Sequence, residues 1–178
     1  MDRAKILVVD DESRMRKLVR DFLVREGYNV LEAEDGVEAM DIFYEEKDIS
    51  LLILDVMMPR MDGWQVCREI RESSKVPIIM LTALDEEEAQ VKAFELQVDD
   101  YITKPFSVRL VLMRVEAVLR RAKDRNNQEI TTNLVYENIR LNRESHSVFV
   151  GGNPISLTHT EYGILELFML LSLIHISE

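Results

Sequence analysis

Blocks of consecutive apolar residues alternate, over the first 122 positions, with blocks whose apolar residues recur every three or four places. Lys5–Val9, Tyr28–Ala33, Leu51–Leu54, Val76–Leu81 and Tyr101–Thr103 are short and rich in Val, Ile and Leu, and they read as strands. Pro77 stands at the start of its run, where a strand tolerates proline. Between the strands lie five helical patterns. Ser13–Glu26 places Met15, Leu18, Val19, Phe22 and Leu23 on one face, and Gly27 closes it as a C-cap. Val37–Glu46, Trp64–Glu72, Asp85 to about Gln97 and Ser107 to about Arg121 are the others. The fourth opens on Asp85-Glu86-Glu87-Glu88, an acidic turn suited to the positive end of a helix dipole.

Strands this apolar, alternating with helices, require a parallel sheet covered on both faces. Right-handed crossovers then give a doubly wound α/β sandwich. The expected topology is flavodoxin-like, with strand order 2-1-3-4-5 and a crevice beside the first and third strands.

Beyond residue 122 the pattern changes. Residues 123–132, which begin Lys123-Asp124-Arg125-Asn126-Asn127-Gln128-Glu129, are polar and without period, and read as a linker. Leu134–Tyr136, Ile139–Leu141 and Ser147–Val150 are short alternating runs, and Gly151-Gly152-Asn153-Pro154 signals a hairpin turn. Thr158 or Thr160 then opens a helix, with Glu161 near its first turn. Four parts are expected: a domain over 1–122, a linker over 123–132, a small antiparallel sheet plus helix over 133–170, and a tail over 171–178.

Composition narrows the function. The net charge is −11, and neither the first 124 residues nor the remainder is basic, so the chain is no non-specific nucleic-acid binder. Cys67 is the only cysteine, which excludes an internal disulfide and suits a reducing, cytoplasmic setting. The apolar run from Ile164 to Ile176 is too short to span a bilayer and is broken by Glu166 and His175; no membrane role is expected.

Candidate chemistry gathers at strand ends. Asp10-Asp11 ends the first strand, Asp55 the third, Thr82 the fourth, and Lys104 follows the fifth. Magnesium takes oxygen ligands octahedrally and keeps several waters. Asp11, Asp55 and the backbone carbonyl of Met57 can supply oxygens, and Asp10 can act through water. A carboxylate can also attack phosphorus and form an acyl phosphate. Lys104 and the Thr82 hydroxyl can then serve the phosphoryl oxygens. Any one of these residues alone is an ordinary cap or loop residue. Four of them on successive strand ends of one α/β pattern outweigh that reading.

These motifs carry a resemblance. Ile6-Leu7-Val8-Val9-Asp10-Asp11-Glu12, Asp55-Val56-Met57-Met58-Pro59-Arg60-Met61-Asp62-Gly63, Ile79-Met80-Leu81-Thr82-Ala83 and Asp99-Asp100-Tyr101-Ile102-Thr103-Lys104-Pro105-Phe106 resemble the receiver domain of bacterial two-component response regulators. The resemblance implies that Asp55 accepts phosphate from a sensor histidine kinase, that Asp10 and Asp11 hold Mg2+, and that Thr82 and Lys104 bind the phosphoryl oxygens. Tyr101 is then an aromatic switch that turns inward as Thr82 moves. A phosphatase using an aspartyl phosphate would carry a second acid two residues after the nucleophile. Met57 stands there, which argues against an enzyme.

The second part resembles the start of the winged-helix effector of the OmpR/PhoB subfamily, in which Ile155-Ser156-Leu157-Thr158-His159-Thr160-Glu161-Tyr162 leads into the first helix. That implies a homodimer on phosphorylation, with Lys92, Glu95, Asp99, Asp100, Arg114 and Arg120 as candidate interface charges. Leu110 departs from the acid usual in the turn after Lys-Pro-Phe, so Lys92 lacks a partner there. The expected function is transcription regulation, with promoter DNA bound by the intact protein only. The basic recognition helix that should follow residue 170 is absent. Leu171-Ser172-Leu173-Ile174-His175-Ile176-Ser177-Glu178 departs from the family and is similar to translated sequencing adapter. The alternative is a stand-alone receiver that signals through protein contacts.

Overall fold

Five strands alternate with five helices in the computed structural model, which describes residues 3–175, without the side chains of 128–131 and 173–175. The strands are β1 (Lys5–Val9), β2 (Asn29–Ala33), β3 (Ile49–Asp55), β4 (Ile78–Thr82) and β5 (Asp100–Thr103). The helices are α1 (Ser13–Arg25), α2 (Gly36–Glu45), α3 (Gly63–Ser73), α4 (Glu86–Glu95) and α5 (Val108–Thr132). The sheet order is β2-β1-β3-β4-β5 and every pairing is parallel, as the apolar strands require.

Side chains alternate across the sheet with the strand period of two. Leu7, Val9, Leu52, Leu54 and Met80 face one way and pack with Ala39 and Met40 of α2 and Val66, Cys67 and Ile70 of α3. Ile6, Val8, Leu51, Ile53, Ile79, Leu81 and Ile102 face the other way, onto Val19 and Leu23 of α1 and Val111, Val115 and Val118 of α5. Both faces are dry, so strand order and register are fixed together.

Local signals set the helix ends. Gly27 has φ 91°, its N–H bonds the Val24 carbonyl, and the Tyr28 N–H bonds that of Leu23. That is a Schellman closure, which frees the chain to re-enter as β2. Asp62 and Gln65 form a capping box at the start of α3, and Asp85 caps α4 through the Glu88 N–H.

One expectation is corrected. Residues 123–132 are not an irregular linker but the continuation of α5 to Thr132. Side chains 123–127 are exposed, so no apolar stripe is needed there, and the Lys, Arg, Gln and Glu of this stretch carry little intrinsic cost in a helix.

Residues 123–178 form a second compact unit. β6 (Asn133–Tyr136), β7 (Ile139–Asn142), β8 (Ser147–Val150) and β9 (Asn153–Ile155) pair antiparallel in sequence order. β9 was expected only as a turn; Pro154 lies on this edge strand, where its missing N–H is harmless. Gly151 and Gly152, at φ 58° and 85°, make the two-residue turn between β8 and β9. Helix α6 (His159–His175) packs Tyr162, Leu165 and Met169 on Leu134, Leu141 and Val148. Thr158 and Glu161 cap it reciprocally. The helix includes 171–175 of the expected foreign tail; residues 176–178 lie outside the described residues.

Candidate functional site

β1 and β3 are neighbours, with Val9 opposite Leu54, so their next residues, Asp10 and Asp55, emerge side by side at the carboxyl edge of the sheet. Both are buried, at 1% and 3% exposure, while Asp11 is open to solvent. Each of the three offers a carboxylate oxygen, and these oxygens lie within 4.8 Å of one another. The Glu12 N–H donates to Asp10 Oδ1 at 2.8 Å. Asp10 Oδ2 is buried without a hydrogen-bond partner. Buried polar atoms are rarely left so, and an unpartnered carboxylate oxygen in a cluster of three carboxylates suits a hard divalent cation.

Electrostatics agree. Burial first, with the charges of Asp55 and Asp11, pushes the Asp10 carboxyl up to about 6, against the opposing pull of the Glu12 N–H and Lys104. Burial also raises the Asp55 carboxyl, outweighing Lys104. A cation at this place would relieve both.

Lys104 comes from the far side. β4 ends at Thr82, paired with Thr103 of β5, and the Lys104 N–H donates to the Thr82 carbonyl at 2.7 Å. The next step of the chain carries the Lys104 ammonium to Asp55 Oδ1 at 3.0 Å. Partial burial pulls this ammonium down, but the hydrogen bond and charge of Asp55, with Asp10 and Asp11 behind it, raise it overall. Thr82 is buried, and its hydroxyl oxygen accepts the Leu84 N–H at 3.1 Å, which orients it at the strand end.

Residues 6–116 match the family model described as the response regulator receiver domain. The chain belongs to this family. It is 46% identical over 168 residues to the transcriptional regulatory protein ResD of Bacillus subtilis (strain 168), covering 92% of this chain and 70% of that protein. The structure of response regulator DrrB, a Thermotoga maritima OmpR/PhoB homologue, matches with a TM-score of 0.60 at 31% identity, over 94% of this chain and 73% of that one. Chemotaxis protein CheY4 of Vibrio cholerae matches the first part, covering 66% of this chain and 99% of its own, with TM-score 0.62 and 31% identity. The receiver therefore serves two-component phosphorelay signalling, and receivers of this family are phosphorylated by histidine kinases and bind Mg2+ in their acidic pocket.

Other expected residues fall at varied distances from this cluster. Met57 lies in the receiver's β3–α3 loop with its side chain exposed, and its backbone N–H bonds the Asp55 carboxylate. Tyr101 is half-buried opposite Met80 on the face that α2 and α3 cover. Lys92 pairs with Glu95 within α4 at 3.6 Å. Asp100 holds Arg114 at 3.2 Å and Arg121 at 3.9 Å. Arg120 is exposed. Asp99 and Asp100 are nearly equally covered, at 11% and 13% exposure, but Asp99 is bonded to the backbone of β4. The Asp99 carboxylate accepts the Ile78 N–H at 2.9 Å and meets Arg71 at 3.2 Å. A strand-opening N–H and a guanidinium draw it inward.

Sequence reasoning overlooked several residues that frame the receiver's site. Asp35 is buried, caps α2 through the Val37 and Glu38 N–H groups, and pairs with Arg60 of the β3–α3 loop. Its position before Gly36 is a cap signature that could have been read. Gly36 and Gly63 permit close approaches: a Cβ at the first would strike the Met61 carbonyl, and one at the second the Asp55 carbonyl. Arg16, whose Nη1 donates to the Asp10 carbonyl at 2.6 Å, gave no signal in the sequence.

Proposed function

We propose that Asp55 is the phosphoacceptor of this receiver, and that Asp10, Asp11, Asp55 and the Met57 backbone carbonyl hold Mg2+. The observation that carries this reading is the set of three carboxylates within 4.8 Å, with Asp10 Oδ2 left without a partner and Lys104 on Asp55. An Asp55 oxygen attacks the phosphorus of a kinase phosphohistidine. The new O–P bond forms as the P–N bond breaks, and the electron pair returns to the histidine nitrogen, which takes up a proton from water. When bound, the metal supplies positive charge to the equatorial phosphoryl oxygens. Lys104, already at the carboxylate, follows the developing charge onto those oxygens, and the Thr82 hydroxyl turns from Leu84 to donate to one of them. Tyr101 then moves into the space that Thr82 leaves. Lys92, Glu95, Asp100, Arg114 and Arg120 lie on α4, β5 and α5, and we assign them to a homodimer surface formed on phosphorylation.

The similarity to DrrB extends over 94% of this chain and so takes in the second unit, which supports an effector role over a stand-alone receiver. We assign promoter DNA binding to the complete effector and not to α6. That helix carries no Lys or Arg and exposes Ile164, Leu167, Phe168 and Leu171, which cannot neutralise phosphates.

The test is incubation of the chain with acetyl phosphate and Mg2+, followed by intact mass measurement. One added phosphoryl group is expected, lost on alkaline hydroxylamine treatment and absent from Asp55→Asn. Phosphorylation of Asp55→Asn at the parent level would overturn the assignment.

A further inference from the structure

Asp10 and Asp11 share one peptide group, and the placement of both carboxylates depends on how that group is held. Its oxygen, the Asp10 carbonyl, accepts Arg16 Nη1 at 2.6 Å. On the other side, the Asp10 N–H donates to the Ala33 carbonyl at 3.2 Å, the last bond of the β1–β2 ladder. Both peptide groups that flank Asp10 are thus fixed. Arg16 is itself held: its Nε lies 3.4 Å from Glu32 Oε1, and its side chain is only 16% exposed. Glu32 stands on β2 opposite Val8, and its second oxygen accepts Arg20 Nη1 at 2.9 Å. Arg20 is gripped in turn by Asp21 at 2.7 Å and 3.0 Å.

We propose that Arg16 is a positioning residue for the metal site, setting the Asp10–Asp11 peptide through its carbonyl, with Glu32 orienting the guanidinium. The proposal rests on the reading of Asp10, Asp11 and Asp55 as metal ligands. A planar guanidinium gives directed bonds to two acceptors at once, which a lysine ammonium on a flexible stem does not. Rotation of the peptide would swing Asp11 away from Asp10 and Asp55. Charge is not the device. Arg16 and Arg20 are matched by Glu32 and Asp21, so the group as a whole adds no net charge beside the acidic cluster.

Arg20 supplies the control, because it shares the Glu32 clasp and α1 but does not reach Asp10. Calorimetric titration of the full chain with Mg2+ alone at neutral pH, together with metal-free melting curves, tests the idea. Arg16→Ala should weaken Mg2+ binding about tenfold, the usual effect of removing a group that orients a ligand. Arg20→Ala should lower the melting temperature comparably and leave the affinity unchanged. Equal affinity in Arg16→Ala and the parent, or an equal loss in both variants, would overturn the proposal. If Arg16→Ala does not fold, Arg16→Lys against Arg20→Lys decides on the same terms. Failure of the parent chain to bind Mg2+ would instead sink the metal-site reading itself.

Discussion

The Lys104 ammonium meets Asp55 Oδ1 at 3.0 Å although 49 positions separate them in the chain. β3 and β5 lie on either side of β4, and the turn after β5 brings the lysine over the Thr82 strand end to reach the acid. Lys104→Met should therefore slow phosphoryl uptake by Asp55 by roughly ten- to a hundredfold, since one positioned donor to the developing charge is lost. The rate of mass gain with acetyl phosphate, at saturating Mg2+, checks it. An unchanged rate would remove Lys104 from the phosphoryl site.

Asp10 makes a pH dependence. Its folded carboxyl sits at about 6, above the ordinary 3.8, so its contribution favours the folded, metal-free chain below about pH 4 and is lost as pH rises through 6. Above that pH the ionised carboxylate is a burden that a bound Mg2+ would relieve. Affinity for Mg2+ should hence fall as pH drops below 6, by about tenfold per pH unit for one competing proton. In the metal-free state at neutral pH, Asp10→Asn should be more stable by about 1–2 kcal/mol, while binding Mg2+ poorly. Denaturant melts in EDTA at neutral and acid pH measure the first effect, which should vanish near pH 4. Titrations with Mg2+ measure the second.

Two glycines should respond oppositely to alanine. At Gly63 a Cβ would strike the Asp55 carbonyl, so Gly63→Ala should cost about 1–3 kcal/mol and weaken Mg2+ binding by shifting the β3–α3 loop. Gly163 lies inside α6 with nothing near its would-be Cβ, and Gly163→Ala should add up to about 1 kcal/mol through helix propensity. Thermal unfolding of both variants checks the pair.

Asp99 and Asp100 are adjacent but serve different tasks. Asp99→Ala removes the acceptor of the Ile78 N–H and the partner of Arg71, and should cost about 1–3 kcal/mol of stability. Asp100→Ala releases Arg114 and Arg121 on the surface and should change stability by less than about 1 kcal/mol, while altering the dimer affinity of the phosphorylated chain. Melting curves and sedimentation of both variants separate the two roles.

The doubly wound sandwich was legible from apolar runs alone, because a strand buried on both faces has to be apolar along its whole length, as Ile6–Val9 and Leu51–Leu54 are. The acids were legible for a related reason. Asp10 and Asp55 break those runs at their ends, and a charge placed there calls for a purpose. The capping pair Thr158–Glu161 and the turn at Gly151-Gly152 are local chemistry, set within a few residues. Strand β9 was not legible, since an edge strand needs little apolar patterning and Pro154 masks it. The helical course of 123–132 was hidden too, because side chains 123–127 are exposed and an exposed helix leaves no stripe. The contacts that frame the site belong to tertiary structure alone. Asp99 turns inward because Arg71 and the Ile78 N–H wait for it, and Arg16 finds the Asp10 carbonyl only once α1 lies on β1 and Glu32 faces it from β2. Such bonds join groups that are far apart along the chain or face a backbone oxygen, and no spacing of residue types records them.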